Sequence, residues 1–590
     1  MMTISDRPDP SSPDTERGDR PSVAAFLVHG LRRAGVTHVF GVPGGPLLPL
    51  YEALAACPDI ELVLAKHEEG AAFMAVGYAQ VSGRLAVVCG TAGPGALHVL
   101  TGLASATADG VPVLALTGQV DSSAFGRGAL QDSSGGNWSV DTVDAFRTAA
   151  KLSAMAASPA QIPRLLAHAL RTAYAGLPGG VHLSVPADIM AAAMPSATMP
   201  TVARPAPAAV DQPALAALLH ALGAARRGMV LAGQGAKLSN AGPALVRLAE
   251  RLGWPVATTL KGKSVFPEDH PLAAGVFGFG GGPQTNQDVL AHDVDTLLVV
   301  GSSLGELATH GWDPRLVTGR TVCRMDIDPL REGSGFEADV HVTGDATTVL
   351  EALLTTAHQP HEPAPPPDRG PRPPAPAAHT LQQGHTILQA SAVVAAMSTL
   401  LPADTLVFAD NGNCLSWLGR HYLSRPPGRI HVSLNIGSMG YSAGAAIGGR
   451  LAAPDRTVVA LTGDAAFAMG GMEIHTACEL GLPVIWIVLN NSGNAMVHNL
   501  QQGLFGHTAG SMYRDPLDAA AIARALGARG TVARTLPEFE ATLTHVLDSP
   551  GPALIDVRVD PEEIPWALTA RITGLRSAFH RQDRPPGTIH

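Results

Sequence analysis

The sequence predicts an α/β protein built from three doubly wound, parallel-sheet domains. Three observations carry this reading. The chain of 590 residues is too long for one hydrophobic core. Short β-branched runs alternate with segments of helical periodicity from residue 22 to about 560, the pattern of parallel strands joined by crossover helices. Two stretches rich in Pro and Ala, 187–212 and 358–380, read as exposed linkers. Together they predict domains at 22–190, 211–356 and 386–560, a linker at 357–385, and tails at 1–21 and 561–590.

Composition bounds the function. Apolar residues make up 46% and charged ones 15%, which leaves material for large cores. A formal charge of −10 argues against nucleic acid or an anionic membrane as the main partner. Five cysteines, at 57, 89, 323, 414 and 478, are odd in number, scattered and without C-x-x-C spacing. That fits a reduced, cytoplasmic protein better than a disulfide frame. No apolar run reaches the length of a membrane span. Residues 1–20 are polar and lack an apolar core, so a disordered tail is expected there rather than a leader.

In the first domain, residues 23–34 are apolar at helical spacing, and a strand at 36–42 ends in Gly41-Val42-Pro43-Gly44-Gly45. Such a loop lets backbone approach a ligand. A strand at 62–65 leads to His67-Glu68-Glu69-Gly70, which opens a helix running to about 80. A strand at 85–89 precedes Thr91-Ala92-Gly93-Pro94-Gly95 and a helix from about 96, and strands follow at 113–117 and 181–185. A carboxylate such as Glu68 at a helix start is also explained by the helix dipole alone.

The second domain shows strands at 229–232, 256–258, 296–300 and 322–327. Gly233-Gln234-Gly235 after the first of them is half of a dinucleotide fingerprint, without the third glycine.

The third domain carries the strongest signal. A strand at 405–409 ends in Asp410-Asn411-Gly412-Asn413, and Ile436-Gly437-Ser438-Met439-Gly440-Tyr441 forms a glycine-rich turn. A strand at 458–462 ends in Gly463-Asp464-Ala465. Residues 467–482 read as a helix, the apolar run 483–489 as a buried strand, and Asn490-Asn491 follows. Asp464 and Asn491 are 27 positions apart, one at the end of each strand, which sets them side by side at the carboxyl edge of a parallel sheet. A carboxylate and an amide oxygen are hard donors suited to Mg²⁺ or Ca²⁺. Mg²⁺ prefers few carboxylates plus phosphate oxygens, which points to a diphosphate ligand. A last strand is expected at 553–559, with helix near 566–575 in the tail.

The ordered set resembles the thiamine-diphosphate (ThDP) enzymes, whose metal motif is G-D-G followed by N-N and whose first domain carries H-E-x-x-A, here with Gly77-Tyr78-Ala79 further on. Phe40-Gly41-Val42-Pro43-Gly44-Gly45, Gly93-Pro94-Gly95, Ala446-Ile447-Gly448 and Met496-Val497 are similar to the acetolactate synthase large-subunit branch. The resemblance spans roughly residues 22–560. It implies a pyrimidine-binding first domain, a Rossmann-like central domain and a diphosphate-binding third domain. It implies Glu68 as the acid that activates the aminopyrimidine, a carboxyl with a raised pKa in a dry site, and Met439 as the wedge that bends the cofactor. It implies Gln131 on the substrate side. Cofactor contacts fall on Gly44, Gly45, Gly93, Pro94, His98, Asn413, Cys414, Ser438, Gly463, Asp464, Ala465, Ala466, Asn491, Gly493, Asn494, Ala495 and Met496. Metal ligands fall on Asp464, Asn491 and Gly493, and substrate contacts on Lys151, Val497 and Leu500. The family places its sites between subunits, so a homodimer or homotetramer is implied.

The expected activity is that of a carboligase that decarboxylates a 2-oxo acid and passes the acyl unit to an acceptor carbonyl. A non-ligating 2-oxo-acid decarboxylase is the alternative, kept open by His98. A flavin or NAD oxidoreductase drawn from Gly233-x-Gly235 would leave Glu68 and Asp464 unexplained. The sequence departs from the branch at several places. Ala465 replaces the third glycine of the metal motif, and Asn413-Cys414 replaces a Gln-His pair. His98 stands for an Asn, Leu500 for a Trp, and Gly301-Ser302-Ser303-Leu304-Gly305-Glu306 for a flavin-contacting segment. About seven extra residues lie around 133–142. These changes weaken the case for branched-chain amino-acid biosynthesis and for tight binding of FAD, which stays open as a cofactor, leave ThDP and Mg²⁺ in place, and predict a partner bulkier than pyruvate. Core filling by Met439 and surface exposure of Lys151 are the plain alternatives.

Overall fold

The computed structural model describes residues 20–196, 198–199, 209–329, 335–356, 379–380, 386–426 and 428–582. The expected tail at 1–21 and linker at 357–385 therefore fall almost wholly outside the described residues.

The first sheet contains β1 (His38–Gly41), β2 (Glu61–Leu64), β3 (Ala86–Gly90), β4 (Val113–Gln119), β5 (Leu152–Met155) and β6 (Gly180–Pro186), in the order β2-β1-β3-β4-β6-β5. The second contains β7 (Gly228–Ala232), β8 (Val256–Thr258), β9 (Ala273–Val276), β10 (Thr296–Val300), β11 (Thr321–Asp326) and β12 (Val340–Thr343), in the order β12-β11-β10-β7-β8-β9. A short antiparallel ladder joins β13 (His379–Thr380) and β14 (Thr386–Ile387). The third sheet contains β15 (Leu406–Ala409), β16 (Arg429–Val432), β17 (Val458–Gly463), β18 (Val484–Asn490), β19 (Arg529–Ala533) and β20 (Ala553–Arg558), in the order β16-β15-β17-β18-β20-β19. The three large sheets are parallel throughout. Both faces of each carry helices, so central strands such as β18 are buried at every residue and read as unbroken apolar runs.

Five strands of the three large sheets had no sequence signal, β5, β9, β12, β16 and β19, and neither did the two-residue β13 and β14. All five are sheet edges. The helix expected at 467–482 is interrupted. It begins at Asp464, passes through a 3₁₀ turn at Gly471–Glu473, and resumes as Ile474–Glu479. Gly470 and Gly471 break it where the helix turns against the first domain. The C-terminal segment forms the helix Trp566–Gln582. No described helix is long and apolar enough to cross a membrane.

The first and third sheets are joined by a helix pair, Glu68–Ser82 and Tyr441–Ala452. A Cβ at Gly77 would run into the Ala445 carbonyl, and one at Gly448 into the Met74 carbonyl. The backbones meet directly, and only glycine permits it.

Candidate active site

Parallel strands β17 and β18 pair in register, with Gly463 opposite Leu489. Asp464 then starts the helix Asp464–Gly470 at one strand end, while Asn490 and Asn491 close the other. Asp464 is fully buried, and its Oδ2 accepts the Gly493 N–H at 2.8 Å. Ser492 lies in the left-handed region at φ 67°, a conformation that turns Gly493 back toward Asp464. The Asn491 side-chain oxygen faces two more oxygens, the Gly493 carbonyl at 2.9 Å and Asp464 Oδ1 at 3.2 Å. A cation between them satisfies all three with the amide oxygen turned inward, whereas without a cation the Asn491 amide turns over and its N–H groups donate to the other two. An octahedral ion with oxygens at about 2.1 Å has neighbouring ligands about 3.0 Å apart, as here. Burial pushes the Asp464 carboxyl up to about 6, opposed by the N–H donors and assisted by Asp556.

These groups line a cavity of about 320 Å³. Asn413, Cys414, Met439, Gly463, Asp464, Ala465, Ala466, Asn491, Gly493, Asn494, Ala495, Met496 and Val497 all face it. The helices Asn413–His421 and Ala495–Phe505 begin at its wall, and helix starts favour anionic groups. Ala465 is the second residue of its helix, with no positive φ, so the missing glycine carries no steric cost. Asn413 spends its amide N–H on Asn499 Oδ1 at 2.7 Å and leaves its own Oδ1 buried without a hydrogen bond. Its second amide hydrogen is still available to a phosphate oxygen. The Cys414 thiol donates to the Asp410 carbonyl at 2.9 Å, and burial pushes it far up, so it offers no thiolate.

Asp410 was not singled out by the sequence. Its carboxylate accepts the backbone N–H groups of Asn411, Gly440 and Ser442 and the Ser442 hydroxyl, at 2.8–2.9 Å. It thereby pins the turn that carries Met439. Arg571 was also missed, because it lies in what read as a tail. It reaches the cavity from the C-terminal helix and pairs with Glu306 at 3.1 Å.

A second group gathers in the first domain. Glu68 opens the helix Glu68–Ser82 behind the N-cap His67, whose Nδ1 accepts the Glu69 N–H. Glu68 Oε2 lies 3.1 Å from His98 Nδ1, and the His98 ring stacks on His67 at 4.5 Å. A Cβ on Gly95 would press on Glu68 Oε1, and one on Gly44 would strike Thr91. Gln131, at φ 65°, packs its backbone against Gly93, whose N–H donates to Ser133 Oγ. Gly45 meets nothing nearby. The extra segment at 133–142 closes on itself through a bridge from Ser134 to Asp141 and leaves Trp138 fully exposed. Neither Glu68 nor Gln131 lines the Asp464 cavity of the same chain.

Three predicted residues lie apart from both groups. Lys151 caps a helix instead, donating to the Ala175 and Leu177 carbonyls at 2.5 and 2.7 Å. Leu500 sits one turn past Val497, about 4.5 Å further along the helix axis, where Ala495–Phe505 leaves the cavity and Gly503 packs on Ile572 of the C-terminal helix. Ser438 uses its carbonyl to hold Asn411 at 2.7 Å and is outside the lining. In the central domain, a cavity of about 700 Å³ adjoins the Gly233-Gln234-Gly235 turn. The N–H groups of Gly233 and Gly235 are spent on Val300 and Gly301 carbonyls at 2.8 Å, so these two donors are not turned toward the cavity.

Comparison with known proteins follows the same division. Family profiles match residues 21–137 as the thiamine pyrophosphate enzyme N-terminal TPP binding domain, 215–353 as the central domain, and 410–557 as the C-terminal TPP binding domain. The acetolactate synthase isozyme 2 large subunit of Escherichia coli is 32% identical, covering 92% of this chain and 97% of the relative. A "Probable 2-ketoarginine decarboxylase" of Pseudomonas aeruginosa is 35% identical over 90% of this chain and 93% of its own. Among solved structures, the thiamine diphosphate-dependent 4-hydroxybenzoylformate decarboxylase of Rhodococcus jostii RHA1 superposes with a TM-score of 0.81 at 25% identity, covering 92% of this chain and 99% of that one.

Proposed function

The chain belongs to the thiamine-diphosphate enzymes, in the acetolactate synthase large-subunit family, and on that premise we propose that it decarboxylates a 2-oxo acid and transfers the acyl unit to an acceptor carbonyl. The observation that carries the reading is the convergence of Asp464 Oδ1, the Asn491 amide oxygen and the Gly493 carbonyl.

When bound, ThDP supplies a nucleophilic carbon that adds to the ketone and takes up the electrons left by departing CO₂. Asp464, Asn491 and Gly493 would hold Mg²⁺ against its diphosphate. The helix starts at Asn413 and Ala495 favour the same negative charge. Met439, fixed through Asp410 and Gly440, supplies the bulk that shapes the cofactor. Glu68 would offer its carboxyl to the aminopyrimidine ring. Arg571 presents a guanidinium to the carboxylate of a 2-oxo acid at the cavity wall.

Glu68 lies outside its own chain's cavity, so a second copy completes each site, in a homodimer or homotetramer. Leu64, Met472 and Leu480 support this. They are exposed apolar side chains on the segments that Glu473 and Thr476 tie together beside Glu68, and exposed apolar clusters mark interfaces. All five cysteines are unpaired, which supports a reducing, cytoplasmic setting.

The test is incubation with ThDP, Mg²⁺ and a panel of 2-oxo acids and aldehydes, with products identified by mass spectrometry. A new C–C bond supports the carboligase. Aldehyde alone supports the decarboxylase reading, which rests on His98 as a proton donor 3.1 Å from Glu68. No consumption of any 2-oxo acid overturns both.

A further inference from the structure

A second polar cavity, of about 430 Å³, lies where the three domains meet. Lys237 and Lys261 of the central domain, and Arg429, His431 and Arg456 of the third, line it. The last turn of the helix Glu68–Ser82 closes the remaining side with Gln80 and Ser82. No carboxylate is in the lining, although the chain as a whole carries a formal charge of −10. Asp109, behind the wall, pairs with Lys261 at 2.7 Å, and Asp404 approaches Arg456. That leaves more positive than negative charge around this cleft.

The cationic heads are oriented by neutral oxygens. Lys237 Nζ donates to the Ile430 carbonyl at 2.6 Å, Arg429 Nη2 to Asn240 Oδ1 at 2.6 Å, and Arg456 Nε to the Asp404 carbonyl at 2.7 Å. For Lys237 and Arg429 such bonds fix direction without cancelling charge, whereas Asp404 partly offsets Arg456. His431 is 5% exposed, stacks on Phe408 at 4.8 Å, and its Nε2 has no hydrogen-bond partner among the described residues. A buried polar atom without a partner ordinarily costs about 1–3 kcal/mol.

We propose that this cavity is an anion site for phosphate or a small phosphomonoester, distinct from the diphosphate site at Asp464. Lys and Arg together are the usual recognition pair for phosphate oxygens, and the volume accommodates a phosphate with a small organic group. An anion there would neutralise the clustered cations and offer an acceptor to His431. Burial, with Arg429 and Lys261 nearby, pushes the Lys237 ammonium down to about 7, a strain that an anion relieves. The bound anion would tie together all three domains at the far end of the helix that starts with Glu68.

The test is calorimetric titration of holoenzyme, saturated with ThDP and Mg²⁺ so that the diphosphate site is filled. Inorganic phosphate and glycerol phosphate are the probes, and chloride is the control. The expected result is saturable binding of one phosphate per chain, with a higher melting temperature. Lys237→Gln and Arg429→Gln should each bind about tenfold more weakly, the loss of one charge-assisted hydrogen bond. Tighter binding of glycerol phosphate identifies a phosphomonoester as the ligand class, and preference for inorganic phosphate identifies the free ion. No saturable binding to the unaltered enzyme, an equal response to chloride, or undiminished affinity in both folded variants overturns the proposal.

Discussion

The Glu473 carboxylate accepts the backbone N–H of His67 at 3.0 Å, and His67 immediately precedes Glu68. The same carboxylate accepts the Lys66 N–H at 3.1 Å and the Thr476 hydroxyl at 3.1 Å. A buried side chain of the third domain thus sets the turn that aims the acid of the first. Glu473→Ala removes the shared acceptor of two part-buried N–H groups, a loss of about 1 kcal/mol for each hydrogen bond. We expect a lower melting temperature and slower exchange of the thiazolium C2 proton, followed by NMR. Unchanged exchange in a folded variant would remove Glu473 from the positioning role.

Asp464→Ala should abolish Mg²⁺-dependent ThDP binding, since it removes the only carboxylate among the three converging oxygens. Calorimetry is the measurement, and retained affinity would sink the metal assignment.

The pH dependence of that site has a definite sign. The folded Asp464 carboxyl titrates near about 6, above its ordinary 3.8. In the cofactor-free protein this group contributes stability below pH 3.8 that is lost as pH rises through about 6. The metal needs the ionised form, so Mg²⁺–ThDP affinity should move the other way and fall about tenfold per pH unit below that value. A flat affinity across this window would contradict the assignment.

Glu68→Gln should bind ThDP yet exchange the C2 proton about 10²–10⁴-fold more slowly, the usual range for a lost general acid. Mixed with Asp464→Ala subunits it should regain part of the activity, because one site of a hybrid carries both residues. Proven hybrids without activity would place the site within one chain.

Specificity should respond to Val497 and not to Leu500. Val497 is 47% exposed on the cavity wall, whereas Leu500, one turn further along the helix, is outside the lining. Val497→Phe should therefore shift the kcat/KM ratio toward smaller acceptors by about 1–3 kcal/mol. Leu500→Trp should leave the ratio unchanged. A larger effect at Leu500 would reverse this placement.

What was legible in the sequence follows from burial. Central strands such as β17 and β18 are buried on both faces, so their apolar runs announce themselves. Edge strands such as β19, with burial interrupted at Thr531, are short and mostly part-buried, and the five unread strands of the large sheets are all edges of four or five residues. The metal-motif residues were legible because chemistry fixes their type and two strand ends fix their spacing. Asp410, Glu473 and Arg571 were not, since each acts across the fold on a partner far along the chain.

The glycine contacts between the helices Glu68–Ser82 and Tyr441–Ala452 have a bearing on recombination. A single methyl group at Gly77 or Gly448 would collide with a carbonyl of the opposing helix. Chimaeras that exchange the first domain between relatives must therefore bring the matching Tyr441–Ala452 helix with them. A crossover placed in the 357–385 linker would separate two surfaces that fit only as a pair.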